Sequence, residues 1–369
     1  MTNSPSPLSS WWQKPTGRQL FAFLIVLLLG LALGLAYLAA GFLQPTWLLL
    51  PPLAVTALAS ALLGHWGVPL LRQFKASQII QLDGPQSHLK KAGTPTMGGI
   101  FFVPVAVAIA LIWSRLAVDV VAVSLVTLGY MAIGWIDDWQ ILRRKTNEGL
   151  TPRQKLYLQI GIALIFCVWL GSTQTTALVP RLTDVQLPGV VLPLGIFFWG
   201  LAVFTLVAES NATNLTDGVD GLAAGTAAIA FLGLGILVFS TSPELAIFCA
   251  CLSGGCLGFI QHNRNPAQVF MGDTGSLALG GGLAAVGILS GNLWGLLLLS
   301  GIFLVESLSV IAQVGYYKLT KDADGQGKRL LKMAPLHHHL ELSGWAETQI
   351  VGFFYGINAL LALLAVWTA

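Results

Sequence analysis

The 369-residue chain is short of charge, with 9 % Asp, Glu, Lys and Arg where an ordinary soluble domain carries about 25 %. That scarcity argues against a soluble fold. Cysteine is scarce as well. Cys167, Cys249, Cys251 and Cys256 all sit in apolar runs, where a thiol acts as a small buried hydrophobe, so neither a disulfide framework nor a thiolate metal site is indicated. No basic patch is interleaved with aromatic residues, which leaves nucleic-acid binding unsupported. No glycine loop ends in Gly-Lys-Ser/Thr, so a Walker phosphate loop is absent. Internal repeats and low-complexity segments are missing too.

What the chain has is apolar surface: 55 % hydrophobic residues and a mean hydropathy of +0.76. A helix needs about 20 apolar residues to cross a bilayer. Runs of that kind cover 20–41, 45–71, 98–114, 120–136, 156–175, 190–208, 221–243, 245–261, 275–290, 293–317 and 348–369. They lack the alternation of a barrel wall, so helices are the remaining way to satisfy the backbone in hydrocarbon. The expected fold is all-α, a polytopic helical bundle with about eleven transmembrane helices. The stretch 275–317 needs a break, and Gly291-Asn292 is the natural turn. The first run, 20–41, is longer than the usual signal core of roughly 7–15 residues and reads as an uncleaved span.

Charge bias sets the orientation. If Asp137-Asp138 lies on one side, so do 1–19, 72–97, 137–155, 209–220, 262–274 and 318–347, and these hold 17 of the 19 Lys and Arg residues. Only Arg115 and Arg181 fall opposite. Positive charge marks the cytoplasmic side, so the N-terminus and the polar segments are expected to be cytoplasmic. The net charge of +3 suits an anionic membrane surface or a phosphorylated substrate.

Acidic residues cluster at the mouths of the apolar runs. Asn211-Ala-Thr-Asn214-Leu-Thr-Asp217-Gly-Val-Asp220-Gly221 places four polar side chains at intervals of three, near one face if helical. It contains no Lys or Arg, and Glu209 adds further negative charge. Carboxylates crowded at low dielectric repel one another, and a bound cation relieves the repulsion. Amide and carboxylate oxygens are hard ligands suited to Mg2+, which commonly bridges protein and phosphate. Asp137 and Asp138 end another run and point about 100° apart on a helix, so one can hold a cation while the other faces a substrate. The plain alternative is a solvated helix boundary.

The turn Phe270-Met271-Gly272-Asp273-Thr274-Gly275-Ser276 offers Asp273 as a metal ligand, and Asn263 or Arg264 just before it could contact a nucleotide phosphate. The run His337-His338-His339 has no partnering Cys or further His, and its side chains diverge, so phosphate or nucleotide hydrogen bonding suits it better than zinc. Lys90-Lys91, Arg143-Arg144-Lys145, Lys155 and Lys321 to Lys332 frame the acids. Most of that charge enforces topology and touches anionic lipid. Lys155 has the best case for contacting substrate. Glu306 interrupts an apolar run, and the residues leave open whether it makes a structural contact or lines a groove.

Asp83-Gly84-Pro85 with His88, Gly93 to Gly99, Asp137-Asp138, Asn211 to Gly221, Asn263 to Ser276 and Pro335 to Glu341 occur in one characteristic order. Taken together they resemble the phospho-N-acetylmuramoyl-pentapeptide-transferase family, within the polyprenyl-phosphate N-acetylhexosamine-1-phosphate transferase superfamily (glycosyltransferase family 4). The Gly-Thr-Pro-Thr-Met-Gly-Gly and triple-His runs favour this branch over relatives that use simpler UDP-amino sugars. The resemblance implies transfer of phospho-MurNAc-pentapeptide from UDP-MurNAc-pentapeptide to undecaprenyl phosphate. The products are undecaprenyl-pyrophosphoryl-MurNAc-pentapeptide (lipid I) and UMP, and the setting is the bacterial inner membrane with the active site facing the cytoplasm. Family members have about ten spans. Residues 45–369 then form the catalytic domain, and 1–44 a cytoplasmic tail with an extra span.

The resemblance also assigns roles. Asp273 is the principal Mg2+ ligand, with Asp217 in the metal environment. Asp137 activates the lipid phosphate, supported by Asp138. His337 is catalytic or orients substrate, with His338 as helper. Asn214, Asp217 and Asn263 lie near the nucleotide, Asp220 is a supporting contact, and Asn211 and Lys155 complete the substrate-binding set. Direct attack by the lipid phosphate is favoured over an aspartyl-phosphate intermediate. The rival readings are a polyprenyl-phosphate GlcNAc-1-phosphate transferase and a membrane transporter. Neither residues nor resemblance decide whether the chain forms a homodimer.

Overall fold

The computed structural model describes residues 14–40, 46–73, 91, 93–144, 148–173 and 183–369. Their helices run in chain order as α1 (Gly17–Ala40), α2 (Leu50–Gln73), α3 (Gly99–Trp113), α4 (Val118–Arg144), α5 (Pro152–Thr173), α6 (Phe197–Thr216) and α7 (Leu222–Val238). They continue as α8 (Pro243–Asn263), α9 (Gly272–Leu289), α10 (Leu293–Leu299), α11 (Gly301–Leu319), α12 (Leu336–Leu342) and α13 (Glu347–Trp367). Eight of them are long and apolar enough to cross a membrane: α1, α2, α4, α5, α8, α9, α11 and α13. α3 and α7 are shorter apolar helices, and α6 turns polar over its last two turns. The chain is an all-α polytopic membrane bundle.

Two apolar runs fold differently from a single helix. The run from 190 begins as a strand: β2 (Val190–Pro193) pairs antiparallel with β1 (Asp184–Leu187), Leu187 opposite Val190. Val190 and Val191 are β-branched and follow a Pro188-Gly189 turn, and apolarity alone cannot separate such a strand from a helix start. The run 293–317 is divided at Ser300 into α10 and α11. The expected turn at Gly291-Asn292 is present. Gly291 takes φ +68°, and Asn292 caps α10 by accepting from the Gly295 amide at 3.0 Å.

α9 and α8 occupy the centre, with 89 % and 83 % of their spans buried, whereas α11 has 17 %. Small residues make the central position feasible, because without side chains helix backbones can approach closely. A Cβ on Gly280 of α9 would overlap the Glu209 carbonyl of α6. One on Gly134 of α4 would overlap the Asp273 carbonyl at the start of α9. The second contact brings Asp137 and Asp138, one helical turn later, beside Asp273.

Candidate active site

The start of α9 is fixed by the run 93–99. Phe270 N donates to Pro95 O at 2.8 Å, Gly98 N to Phe270 O at 2.8 Å, and Gly99 N to Met271 O at 3.0 Å. Gly272 then takes φ +72°, a conformation natural to glycine, and a Cβ there would press on Asp138, Thr96 and Met97. This turn delivers Asp273 to the first turn of α9. Asp138 accepts from Thr274 Oγ1 at 2.6 Å, Thr274 N at 3.0 Å and Asp273 N at 3.3 Å. A carboxylate facing the unpaired N–H groups of a helix start holds that end by hydrogen bonding and by the helix dipole. Asp137, turned away along the same helix, accepts from Leu150 N at 2.8 Å.

Asp137, Asp138 and Asp273 converge so that one oxygen from each lies within 4.8 Å of the others. Lys155 from α5 donates to Asp273 Oδ2, and Asn214 from α6 donates to Asp273 Oδ1 at 2.7 Å and to Ser276 Oγ at 2.9 Å. Three carboxyl groups against one ammonium leave an excess of negative charge. Oxygen-only donors with that excess fit a hard divalent cation and not a soft metal. Among the described residues this is the only such cluster.

The segment 211–221 spreads its polar residues over several neighbours. Asn211 exchanges bonds with Gln159 of α5, at 2.9 and 3.4 Å, and also donates to Val207 O. Asp217 follows α6 and stands beside Asp273 and Asp138, outside the trio of converging oxygens. Burial, then the charges of Asp273, Asp138 and Asp220, push its carboxyl up to about 7. Asp220 belongs to a second cluster. Lys91 Nζ lies 2.8 Å from Asp220 and 2.7 Å from Glu347, and Asn265 Nδ2 donates to both acids at 3.1 and 3.2 Å. Ala267 N adds a third donor to Asp220 at 3.0 Å. Burial alone would lower the Lys91 pKa, yet the two carboxylates outweigh it and hold the ammonium above its ordinary value. Asn263 is buried, accepting from Gly221 N at 2.9 Å and donating to Val269 O at 2.8 Å.

His337 enters from α12. It is fully buried, with Nδ1 3.2 Å from Glu306 Oε2, while the Glu306 carboxylate also accepts its backbone N–H at 3.2 Å. Glu306 is thus turned inward from α11 onto the histidine. The far ring edge abuts Gly218, where a Cβ would overlap Nε2. His338 packs edge-on against His337 and pairs with Glu341 at 2.8 Å. His337 therefore ties α11, through its backbone N–H, to the 217–218 turn, through its ring.

Relatives of known name share nearly the whole chain. The protein is 69 % identical over 356 residues, 96 % of each chain, to the phospho-N-acetylmuramoyl-pentapeptide-transferase of Rippkaea orientalis. It is 64 % identical over the full length of both chains to that of Synechocystis sp.. The one from Gloeothece citriformis is 64 % identical over 95 % of each chain. The chain belongs to the phospho-N-acetylmuramoyl-pentapeptide-transferase family. Residues 120–291 match Glycosyl transferase family 4, and residues 91–103 match the phospho-N-acetylmuramoyl-pentapeptide-transferase signature 1. The family signature therefore contains Lys91 and the 93–99 run that braces Asp273, and the broader match contains Asp137, Asp217 and Asp273.

The structure brings Asp137, Asp138, Asp273, Lys155 and Asn214 into one cluster, sets Asp217 beside it, puts His337 against Gly218 in the turn after Asp217, and groups Asp220 with a different cation. Asp83, Gly84, Pro85, His88, Lys90 and Lys145 lie outside the described residues. Sequence reasoning passed over Glu347, Asn265 and Gln159, and ranked Lys91 among topological charges. Glu347 opens the last span as a lone acid. The signal that could have found it is that an acid opening a span needs a cation across the bundle, and the structure supplies Lys91.

Proposed function

We infer that the chain transfers phospho-MurNAc-pentapeptide from UDP-MurNAc-pentapeptide to undecaprenyl phosphate, forming lipid I and releasing UMP. Its relatives carry the name of this transferase at 60–69 % identity over nearly full length. The observation that carries the reading is the convergence of Asp137, Asp138 and Asp273 at the ends of membrane helices beside Lys155. Two anionic phosphates must meet in this reaction, and a cation-binding acid cluster at a membrane surface meets that need.

Mg2+ is the ion we assign, with Asp273 as principal ligand and Asp137 and Asp217 near it; when bound, it offsets phosphate charge. Asp138 is already committed to the start of α9, so its work is to hold Asp273 in place. Asp137 positions the lipid phosphate and accepts any residual proton. An oxygen of that phosphate attacks the sugar-linked phosphorus, the new P–O bond forms, and the bond to the UMP oxygen breaks. Lys155, which bonds Asp273, would donate a hydrogen bond to a phosphate oxygen of the substrate. Glu306 fixes the His337 ring, leaving Nε2 toward the 217–218 turn to orient the substrate, with His338 behind it. Asn214 holds Asp273 and Ser276, while Asn211 and Asn263 brace the nucleotide side. Asp220 with Lys91 supports the nucleotide end. The site faces the cytoplasm of a bacterial inner membrane, because the basic residues gather on its side.

The test is UMP release from purified protein with undecaprenyl phosphate, with UDP-MurNAc-pentapeptide and UDP-GlcNAc offered separately, with and without Mg2+. Magnesium-dependent release from the muramoyl substrate is expected, and Asp273→Ala abolishes it while still inserting into membrane. Release from UDP-GlcNAc alone would assign the simpler sugar-phosphate transferase. Substrate movement across vesicles without UMP would assign a transporter.

A further inference from the structure

The N-terminal helix α1 is built onto the second charged cluster. Thr16 and Gln19 exchange bonds, Thr16 N to Gln19 Oε1 at 2.8 Å and Gln19 N to Thr16 Oγ1 at 3.3 Å. This reciprocal box fixes where the helix begins. The next residue, Gly17, lies so close to Asn265 that a Cβ would overlap the Asn265 carbonyl. One turn on, the Arg264 guanidinium sits 5.3 Å over the Phe21 ring, a distance at which the cation is attracted to the ring face. Asn265 then donates to both Asp220 and Glu347.

The Arg264-Asn265 turn is therefore held from one side by α1 and from the other by the two acids that share Lys91. A cavity of about 710 Å³ opens beside it, walled by Lys14 to Gly17 and by the 341–348 connection, with Glu347 on its lining. A helix serving only as an anchor needs none of these contacts. Further along α1, Leu24, Leu28, Leu31 and Ala32 are buried in the core, while an added Cβ on Gly30 or Gly34 meets nothing within 4 Å.

We propose that α1 is a positioning element for the nucleotide end of the active site, acting through Gly17 and Phe21 on the Arg264-Asn265 turn and so on Asp220 and Glu347. This rests on the assignment of Asp220 to the nucleotide end. The Asn265 hydrogen bonds reach Asp220 and Glu347 and not the Asp137, Asp138 and Asp273 cluster, so the effect falls on affinity for the UDP-linked substrate and not on the chemical step.

The test is steady-state kinetics on the purified full-length protein, varying UDP-MurNAc-pentapeptide and undecaprenyl phosphate separately. Phe21→Ala, which removes the ring without a clash, and Gly17→Val, which forces Asn265 to move, are each expected to raise KM for the UDP substrate about five- to tenfold. In both, kcat and KM for the lipid phosphate stay unchanged. Gly30→Val on the same helix changes none of them. Asp220→Asn is expected to raise the same KM. If Asp220→Asn does so while Phe21→Ala and Gly17→Val do not, the role of α1 is overturned and the nucleotide assignment stands. If Asp220→Asn leaves KM untouched, the assignment falls and the proposal with it. Equal rises in both KM values, or a lower melting temperature with both unchanged, would make α1 a structural support only and overturn the proposal.

Discussion

Asp217 and Asp220 are three residues apart, yet they belong to clusters that differ in how far their negative charge is satisfied. Around Asp220 one ammonium is shared by two carboxylates, and amide donors from Asn265 and Ala267 satisfy the oxygens it leaves, so the excess is a single negative charge held in hydrogen bonds. Around Asp273 the excess is larger, since Asp137, Asp138 and Asp217 crowd a site with Lys155 as the contacting cation. A satisfied cluster is already organised before anything binds. An unsatisfied one stores repulsion that a divalent ion can relieve, and this is where phosphoryl transfer between two anions can be assisted. The comparison teaches which acids act on the reacting groups and which hold the frame.

The largest test of this contrast is a pair of isosteric changes. Asp273→Asn is expected to lower kcat for UMP release on the order of a thousandfold, several kcal/mol of lost charge stabilisation. Asp220→Asn leaves kcat largely intact. Equal losses of kcat in the two variants would erase the distinction between clusters.

Next come the histidine and its acid. His337→Ala is expected to cost roughly a hundredfold in kcat, with Glu306→Gln intermediate because the ring keeps its pocket. If Glu306→Gln matched wild type across the pH profile, the carboxylate would have no part in setting the ring.

A smaller effect concerns folding. Lys91→Met leaves two partly buried acids without their cation and is expected to cost about 2 kcal/mol of stability, reduced from a fully buried pair by residual solvent access. Thermal unfolding in detergent measures it. Lys155→Met, by contrast, is expected to leave the melting temperature nearly unchanged in saturating Mg2+, where the ion supplies the missing positive charge.

The smallest is a pH effect. The Asp217 carboxyl is pushed up to about 7 in the folded chain from an ordinary value of 3.8. The folded state therefore holds this proton more tightly than the unfolded state does. That stabilisation is complete below the ordinary carboxylate range and lost as pH rises through about 7, following proton linkage. Metal-free protein should melt at a lower temperature at pH 8 than at pH 5, and Mg2+ should narrow the gap. Magnesium affinity, read by calorimetry, should fall below pH 7 as protons compete.

Much of the frame was legible in the chain because membrane burial writes itself as long uncharged runs. Each run holds helix over most of its described length, and the Gly291-Asn292 turn stood where polarity and glycine met. The hairpin at 184–193 was hidden, because Val190 and Val191 look equally apolar in a strand or in a helix. The break at Ser300 was hidden as well. Ser300-Gly301 is a turn-prone pair that is masked by the long apolar run around it, and the Ser300 hydroxyl finds its partner in Glu209 of another helix, at 2.7 Å.

At the site, the sequence by itself determined the residue types: carboxylates at helix ends, an amide ladder, and glycines where backbones must touch. Only the tertiary structure decided their partnerships. Whether an acid meets a lysine, a helix start or another acid depends on which helices cross, and crossing depends on contacts such as Gly134 against Asp273 and Gly280 against Glu209. Short-range pattern fixes what a segment can bury and offer. Long-range packing sets the field each charge experiences, because that field falls off over a few ångströms and is made by residues far away in the chain.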